Sequence, residues 1–471
     1  MRFLKYFYAS FLGAFLILPA SGPALARTQS APRVNVFIIV IDALRKDHVG
    51  VYGYGRNTTP NIDRFARAAT VFTNAVSECS WTHPAVASLF TSLPPSVHGV
   101  SSYHMDKTGV KTDILNPKLL TLAEAMKENG YHTGAFVANH WISERNAFHQ
   151  GFDVFDPVAP EFKPPAEKVT KKALKWITEN REEPIFAYLH YFDPHGPYQP
   201  PPPYDQAFTT RPPRPFIEKG AHTIDTLSGG YLSAGREKDR GNLSYYLDLY
   251  DGAILYADAQ IGLLLDGLRK LDLYDNSLVV IVSDHGEAFF EHSTFDHGFT
   301  VYSEEINIPL IVKFPPPSPP RGGNGTAVSL ADIGPTVLAA AGVRYHSFGA
   351  GRNLAELIKA EEQENKELFS EELSPFMKGP AKVSLIEGKM KAIYRHASGT
   401  VEELYDLEKD PGEKKNLLKK QPGIAAQMEK KIERRLKAGE DEREKRGLDR
   451  ASTIIKDSER IEQLKSLGYI N

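Results

Sequence analysis

A chain of 471 residues, 41% hydrophobic and 24% charged, has enough apolar material to bury a large core and enough charge to stay soluble. Its formal net charge of -3 supplies no basic field, which argues against nucleic acid as a partner. A single cysteine, Cys79, rules out an internal disulfide.

The chain opens like an export signal: Arg2 and Lys5 give a positive end, residues 7–18 an apolar run, and Ala24-Leu25-Ala26 a small-residue cleavage site. The run falls short of the roughly 20 residues that span a bilayer. Residues 1–26 therefore read as a signal peptide rather than an anchor, and the mature chain is expected in the periplasm or secreted, with no stable membrane span. Residues 34–41 form a β-branched apolar run that suits a strand buried on both faces, ending at Asp42. A helical pattern over 118–129 is stopped by Gly130. Residues 185–191 read as a second buried strand, ending just before Asp193, and the proline-rich stretch from Pro200, continuing to Gly241, as a long irregular excursion suited to a substrate entrance. Apolar spacing predicts a helix over 247–271, and residues 278–282 a third strand that ends before Ser283-Asp284-His285.

Strand alternating with helix implies an α/β fold with a mainly parallel sheet, in which ligands bind at the carboxyl ends of strands. Asp42, Asp193, His195, Asp284 and His285 are then expected to converge although they are far apart in sequence. From Glu367 the pattern changes to short strands joined by turns, over 368–373, 383–394 broken at Glu387-Gly388, and 401–407. The chain thus divides into a catalytic domain (34–345), a small antiparallel subdomain (346–420) and a charged helical tail (421–471), whose helix over 421–446 reads as a solvated surface element.

Short motifs now become informative by their order. Ile41-Asp42-Ala43-Leu44-Arg45-Lys46-Asp47, Tyr52-Gly53 and Thr59-Pro60-Asn61-Ile62-Asp63 are followed by Ser88-Leu89-Phe90-Thr91, His98-Gly99 and Asp193-Pro194-His195-Gly196-Pro197-Tyr198. Ser283-Asp284-His285-Gly286-Glu287, His297-Gly298 and Pro309-Leu310-Ile311 come next. Together they resemble the catalytic domain of the sulfatase family within the alkaline-phosphatase superfamily. Glu403-Leu404-Tyr405-Asp406-Leu407, Asp410-Pro411, Asn416-Leu417 and Leu467-Gly468-Tyr469 resemble that family's C-terminal subdomain. The resemblance implies an alkaline-phosphatase-like sheet flanked by helices, with a small C-terminal α+β subdomain.

Within this family the nucleophile decides the chemistry. Aerobic sulfatases mature a Cys or Ser in a Cys/Ser-x-Pro-x-Arg motif to formylglycine, and Cys79 fails that pattern, with Trp81 where the proline belongs and His83 where the arginine belongs. Aligning on Pro84 instead puts Thr82 at the nucleophile position and Val86 at the arginine. Thr82 then resembles the nucleophilic threonine of phosphoethanolamine and lipoteichoic-acid transferases. Thr82 would also suit the cap of a helix beginning near Pro84, and the roles are compatible because a helix N-terminus stabilises anionic oxygens.

The resemblance further implies a divalent metal on Asp42, Thr82, Asp284 and His285, activating the hydroxyl for in-line attack. Ala43 and His285 stand where calcium sulfatases carry a second aspartate and an asparagine. An imidazole with fewer carboxylates favours zinc, with manganese, magnesium and calcium as the other candidates. His195 and His297 match positions that in relatives contact the ester oxygens, protonate the leaving group or bind a second metal, and both are catalytic candidates. Asp193 lies in an Asp-Pro turn signal and is left out, while His98, His292, Arg56 and Asn74 are weaker candidates for the pocket.

The leading expectation is cleavage, or transfer, of a phosphate ester of a small molecule or cell-envelope component through a covalent Thr82 intermediate. A sulfuric ester hydrolase is the alternative. A catalytically silent binding protein on the same scaffold is the second, favoured by the groups missing at Ala43 and Val86.

Overall fold

The computed structural model describes residues 33–106, 109–158, 164–209, 237–345, 348–359, 367–373, 381–449, 451–456 and 461. The signal-like segment 1–26, most of the irregular excursion and Leu467-Gly468-Tyr469 lie outside the described residues.

Among the described residues eight strands build the central sheet: β1 Asn35–Ile41, β2 Thr70–Val76, β3 His132–Val137, β4 Val154–Asp156, β5 Ile185–Tyr191, β6 Ser277–Val282, β7 Leu310–Lys313 and β8 Gly322–Ser329. They lie in the order β8-β2-β7-β6-β1-β5-β3-β4. Only β7 runs against its neighbours; every other pair is parallel. Every residue of β5 and β6, and all of β1 except Asn35, is buried, which is why these strands read as unbroken apolar runs.

The register sets the function. Val40 of β1 lies beside Val282 of β6 and His190 of β5, and His190 lies beside Val137 of β3. Four carboxyl ends therefore stand in a row, about 4.8 Å apart. Segments far apart in sequence deliver their polar side chains to one edge.

The helices mostly follow the sequence, with instructive shifts at their ends. Helix α1 is Thr82–Thr91 and α2 is Leu122–Glu128. The latter starts later than its pattern because Thr121 caps it: its hydroxyl accepts from Glu124 N–H, and the Glu124 carboxylate accepts from Thr121 N–H. Helix α3 is Ala166–Glu179, and α4, Glu237–Lys270, begins earlier than the predicted 247–271. Among the described residues no helix is long and apolar enough to cross a membrane.

In the C-terminal region β9 Leu368–Glu372, β10 Lys382–Glu387, β11 Met390–Arg395 and β12 Thr400–Asp406 form an antiparallel sheet in sequential order. Gly388 turns the β10–β11 hairpin with φ +57°. Helix α5, Pro422–Lys445, is not wholly solvated: Ala425, Met428 and Ile432 pack against Val383, Leu385, Ala392 and Leu404 of this sheet. Their three- and four-residue spacing forms an apolar stripe within a charged sequence. The sheet and the catalytic region belong to one compact unit, Val34–Asn471.

A buried ion pair of the C-terminal region ties that region to the catalytic one through Glu413. Lys391 Nζ of β11 lies 2.7 Å from the Glu413 carboxylate, both side chains being wholly buried. Glu413 also accepts from Ser303 N–H at 2.7 Å, and its carbonyl accepts from His292 Nε2 at 3.0 Å. Breaking one partner of such a pair strands a charge in the core. Lys391→Met is expected to lose about 3–5 kcal/mol, read as a lowered melting temperature, and Lys391→Met/Glu413→Gln to regain part of it. A single variant as stable as wild type would show that the pair carries no such constraint.

Candidate active site

Asp42 follows β1, Asp284 and His285 follow β6, and Thr82 opens α1; all four are fully buried and meet in one cluster. Thr82 Oγ1 is 3.2 Å from His285 Nε2 and 3.5 Å from Asp42 Oδ1. Thr82 is not the helix cap: Trp81 holds that position with extended backbone, and Thr82 is the first helical residue, its hydroxyl turned towards Asp42 and His285. The chain turns sharply after Asp42 at Ala43, φ +56°, where Ala43 N–H donates to Asp284 Oδ1 at 3.2 Å and Leu44 N–H to Ser283 Oγ at 2.9 Å.

Asp42, Asp284 and His285 offer ligand atoms all within 4.8 Å of one another. Among the described residues Asp284 Oδ2 has no hydrogen-bond partner. His285 Nδ1 is 2.8 Å from the Gly286 carbonyl, which can only accept, so Nδ1 carries a proton and, in the neutral imidazole that a metal requires, Nε2 presents its lone pair. That lone pair faces Asp42 Oδ1 at 3.4 Å and Asp284 Oδ2 at 3.6 Å. Acceptors meeting in a buried space call for a cation, and the donor set fits a divalent metal.

Charges inside the cluster pull in opposite directions. Burial pushes the Asp42 carboxyl up, but the charge of His195 and the hydrogen bond and charge of His190 outweigh it and hold Asp42 well below the usual carboxylate range. Burial and the charge of Asp42 raise Asp284. Burial opposes protonation of His285, yet Asp284 and Asp42 raise it.

His195 and His297 lie beside the cluster: their ring centroids are 4.7 Å apart, and that of His297 is 4.2 Å from that of His285. His195 Nδ1 donates to the Gly196 carbonyl at 2.6 Å. Burial lowers its pKa to about 4, which leaves Nε2 an acceptor at neutral pH. His297 is the opposite case. Burial disfavours its charge, but Asp296 and Glu287, 2.8 and 3.0 Å from its Nδ1, raise its pKa well above the ordinary value.

Two participants were not predicted from sequence. Asn139, two residues after β3, donates from Nδ2 to Asp42 Oδ2 at 2.6 Å and to Thr82 Oγ1 at 3.2 Å. Its amide orientation is fixed because Oδ1 accepts from Trp141 N–H at 2.8 Å. His190, inside β5, places Nε2 3.2 Å from Asp42 Oδ2. A histidine inside a fully buried strand was the available signal, since a buried polar group needs a partner.

The weaker candidates lie elsewhere in the bonding pattern. His98 bonds Ser88 Oγ and Val100 N–H, and Arg56 pairs with Asp248 and Asp251. His292 pairs with Glu304 and stacks on Tyr302, while Asn74 stands in β2 beside Ala327. Cys79 is buried and donates to Glu372 at 3.2 Å, and burial with that carboxylate's charge raises its thiol pKa well above normal. Cys79→Ala is accordingly expected to retain turnover within about twofold in a steady-state assay; loss of activity in the folded variant would make the thiol a participant.

The architecture and the buried acid–histidine–threonine cluster define the class: an alkaline-phosphatase-like fold, with solved neighbours such as the phosphonate monoester hydrolase of Agrobacterium radiobacter at TM-score 0.68, 19% identity, covering 87% of this chain and 96% of that one. Residues 34–343 match the sulfatase family model, and 290–442 match that of the N-sulphoglucosamine sulphohydrolase C-terminal region. The chain belongs to the sulfatase family, and it is a member of that family's ester-cleaving enzymes. It is 25% identical over 423 residues to the Delta 4,5-hexuronate-2-O-sulfatase of Bacteroides thetaiotaomicron, covering 84% of this chain and 86% of the relative. To the arylsulfatase of Clostridium perfringens it is 24% identical over 449 residues, covering 82% and 90%.

Proposed function

We propose that this enzyme is a metal-dependent hydrolase of small-molecule sulfuric esters, working through Thr82. The observation that carries the reading is the Thr82 hydroxyl, buried at the start of α1 and 3.2 Å from the bare Nε2 of His285. The sulfatases among its relatives favour a sulfuric ester over the phosphate ester that the sequence put first.

A divalent ion, for which the two acids and one imidazole favour zinc, would be held by Asp42, Asp284, His285 and Thr82 and would acidify the Thr82 hydroxyl while neutralising the ester's oxygens. In the first half-reaction Thr82 gives up its hydroxyl proton to solvent, Oγ1 bonds to sulfur, the bond from sulfur to the alcohol oxygen breaks, and His297 gives that oxygen its proton. In the second, His195 Nε2 takes a proton from water, whose oxygen attacks the sulfur. The bond from sulfur to Thr82 Oγ1 breaks and hydrogen sulfate leaves, Thr82 Oγ1 takes the proton held by His195, and His297 regains its own from solvent. The N-terminus of α1 adds its partial positive charge to the site. Residues 1–26 favour action in the periplasm or outside the cell, with the mature chain beginning at Arg27, which the mass of the processed protein checks.

One observation favours a second reading. A threonine cannot become the aldehyde hydrate by which formylglycine enzymes expel sulfate, so a phosphate ester remains the competing substrate. Both readings are tested with 4-methylumbelliferyl sulfate and phosphate, which share a leaving group. The first reading expects metal-dependent sulfate ester cleavage that falls at least about a thousandfold in Thr82→Ala and partly survives in Thr82→Ser. Preference for the phosphate would install the second reading. Near-wild-type turnover of either ester by metal-loaded Thr82→Ala would overturn the Thr82 mechanism.

A further inference from the structure

Asp42 divides its two oxygens between two sets of neighbours. Oδ2 accepts from Asn139 Nδ2 at 2.6 Å and lies 3.2 Å from His190 Nε2. Oδ1 faces His285 Nε2 at 3.4 Å and Thr82 Oγ1 at 3.5 Å. What separates the sets is where each imidazole carries its proton.

A carboxylate can only accept, so the 3.2 Å contact with His190 is bonding only if Nε2 carries the hydrogen. Nδ1 is then bare, and Tyr188 OH, 2.8 Å away, donates to it. Tyr188 and His190 are both fully buried on β5, two residues apart and hence on the same face of the sheet. His285 has the opposite arrangement, its proton fixed on Nδ1 by the Gly286 carbonyl. The two histidines that flank Asp42 thus present a donor on one side and a lone pair on the other.

We infer that His190 is a positioning residue: oriented by Tyr188, and together with Asn139, it occupies Oδ2 of Asp42 so that Oδ1 alone faces Thr82 and His285. His190 Nε2 also lies 3.9 Å from Asp284 Oδ2, so its N–H points into the gap between two like charges that the fold forces together. His190 serves the ligand without being one: the group able to hold a metal comprises Asp42, Asp284 and His285. A leucine there would leave Asp42 free to rotate and would strand Tyr188 OH without its acceptor.

This rests on the reading that Asp42 helps to hold the metal, and the test keeps the two apart. Nitrogen-15 NMR of histidine-labelled, metal-free protein reads the tautomer directly: His190 is expected with the proton on Nε2, and Tyr188→Phe should move population towards Nδ1. Chelator competition then gives zinc affinity, which His190→Leu should weaken about 10–100-fold. His190→Gln, whose amide can still donate to Oδ2, should recover most of that loss. With zinc saturating, His190→Leu should lower kcat while KM stays within about twofold.

An Nδ1–H tautomer in wild type would overturn the inference, as would wild-type zinc affinity in folded His190→Leu or a Gln variant no better than Leu. If wild type binds zinc with these dependences but cleaves neither ester, the functional reading fails and the Asp42 clamp stands. If wild type cleaves an ester and the His190 variants bind zinc unchanged, only the clamp fails.

Discussion

Two carboxylates confined to one buried space, Asp42 and Asp284, are the constraint around which the rest of the site is arranged. An isolated buried charge costs tens of kcal/mol in the idealised limit, so each acid must be compensated within hydrogen-bonding reach. Asp42 has Asn139 and His190 on one oxygen, and Asp284 has the backbone N–H groups of Ala43 and His285 on Oδ1. Asp284 Oδ2 is left without a hydrogen-bond partner among the described residues. Compensation is thus complete everywhere except on the side facing Thr82 and His285, and that asymmetry gives the site its chemical direction.

The sheet is what makes the juxtaposition possible. β6, β1, β5 and β3 are adjacent, so the acids and their donors arrive at one edge without any loop having to search for the others. Burial on both faces makes this edge stiff, and stiffness is what electrostatic catalysis needs, since dipoles already in place need not reorganise as charge develops. The same rigidity separates the two outer histidines. His195 has a backbone carbonyl on Nδ1 and a lowered pKa, whereas His297 has two carboxylates on Nδ1 and a raised one. One is an acceptor and the other a donor because their surroundings differ, which is the separation that acid–base catalysis in two steps requires.

Much of this was legible in the sequence because buried parallel strands are short apolar runs and their ends are marked by polar residues. Asp42, His195, Asp284 and His285 are marked in that way, whereas His297 stands out only through its His-Gly motif. Thr82 was found by register, but its capping role was not borne out: extended Trp81 holds the cap, and helix geometry begins at Thr82 itself. His190 was hidden because it is part of the β5 run and was read as strand rather than site. Asn139 was hidden because β3, with its glycine and short apolar stretch, offers a weak strand pattern. The apolar stripe of α5 was obscured by its charge, since three buried side chains suffice to seat it on the C-terminal sheet. Side-chain partnership across the sheet depends on strand order, and no local pattern in the sequence encodes that order.

The central claim is that the Thr82 oxygen becomes bonded to the substrate's sulfur during turnover. Rapid acid quench of the zinc-loaded enzyme during cleavage of a sulfuric ester, followed by mass spectrometry of the peptide containing Thr82, tests it directly. The account predicts a sulfuryl group on Thr82 that is present during turnover and absent after substrate is exhausted. An unmodified Thr82 peptide throughout rapid turnover, or the group found on another residue, would contradict it.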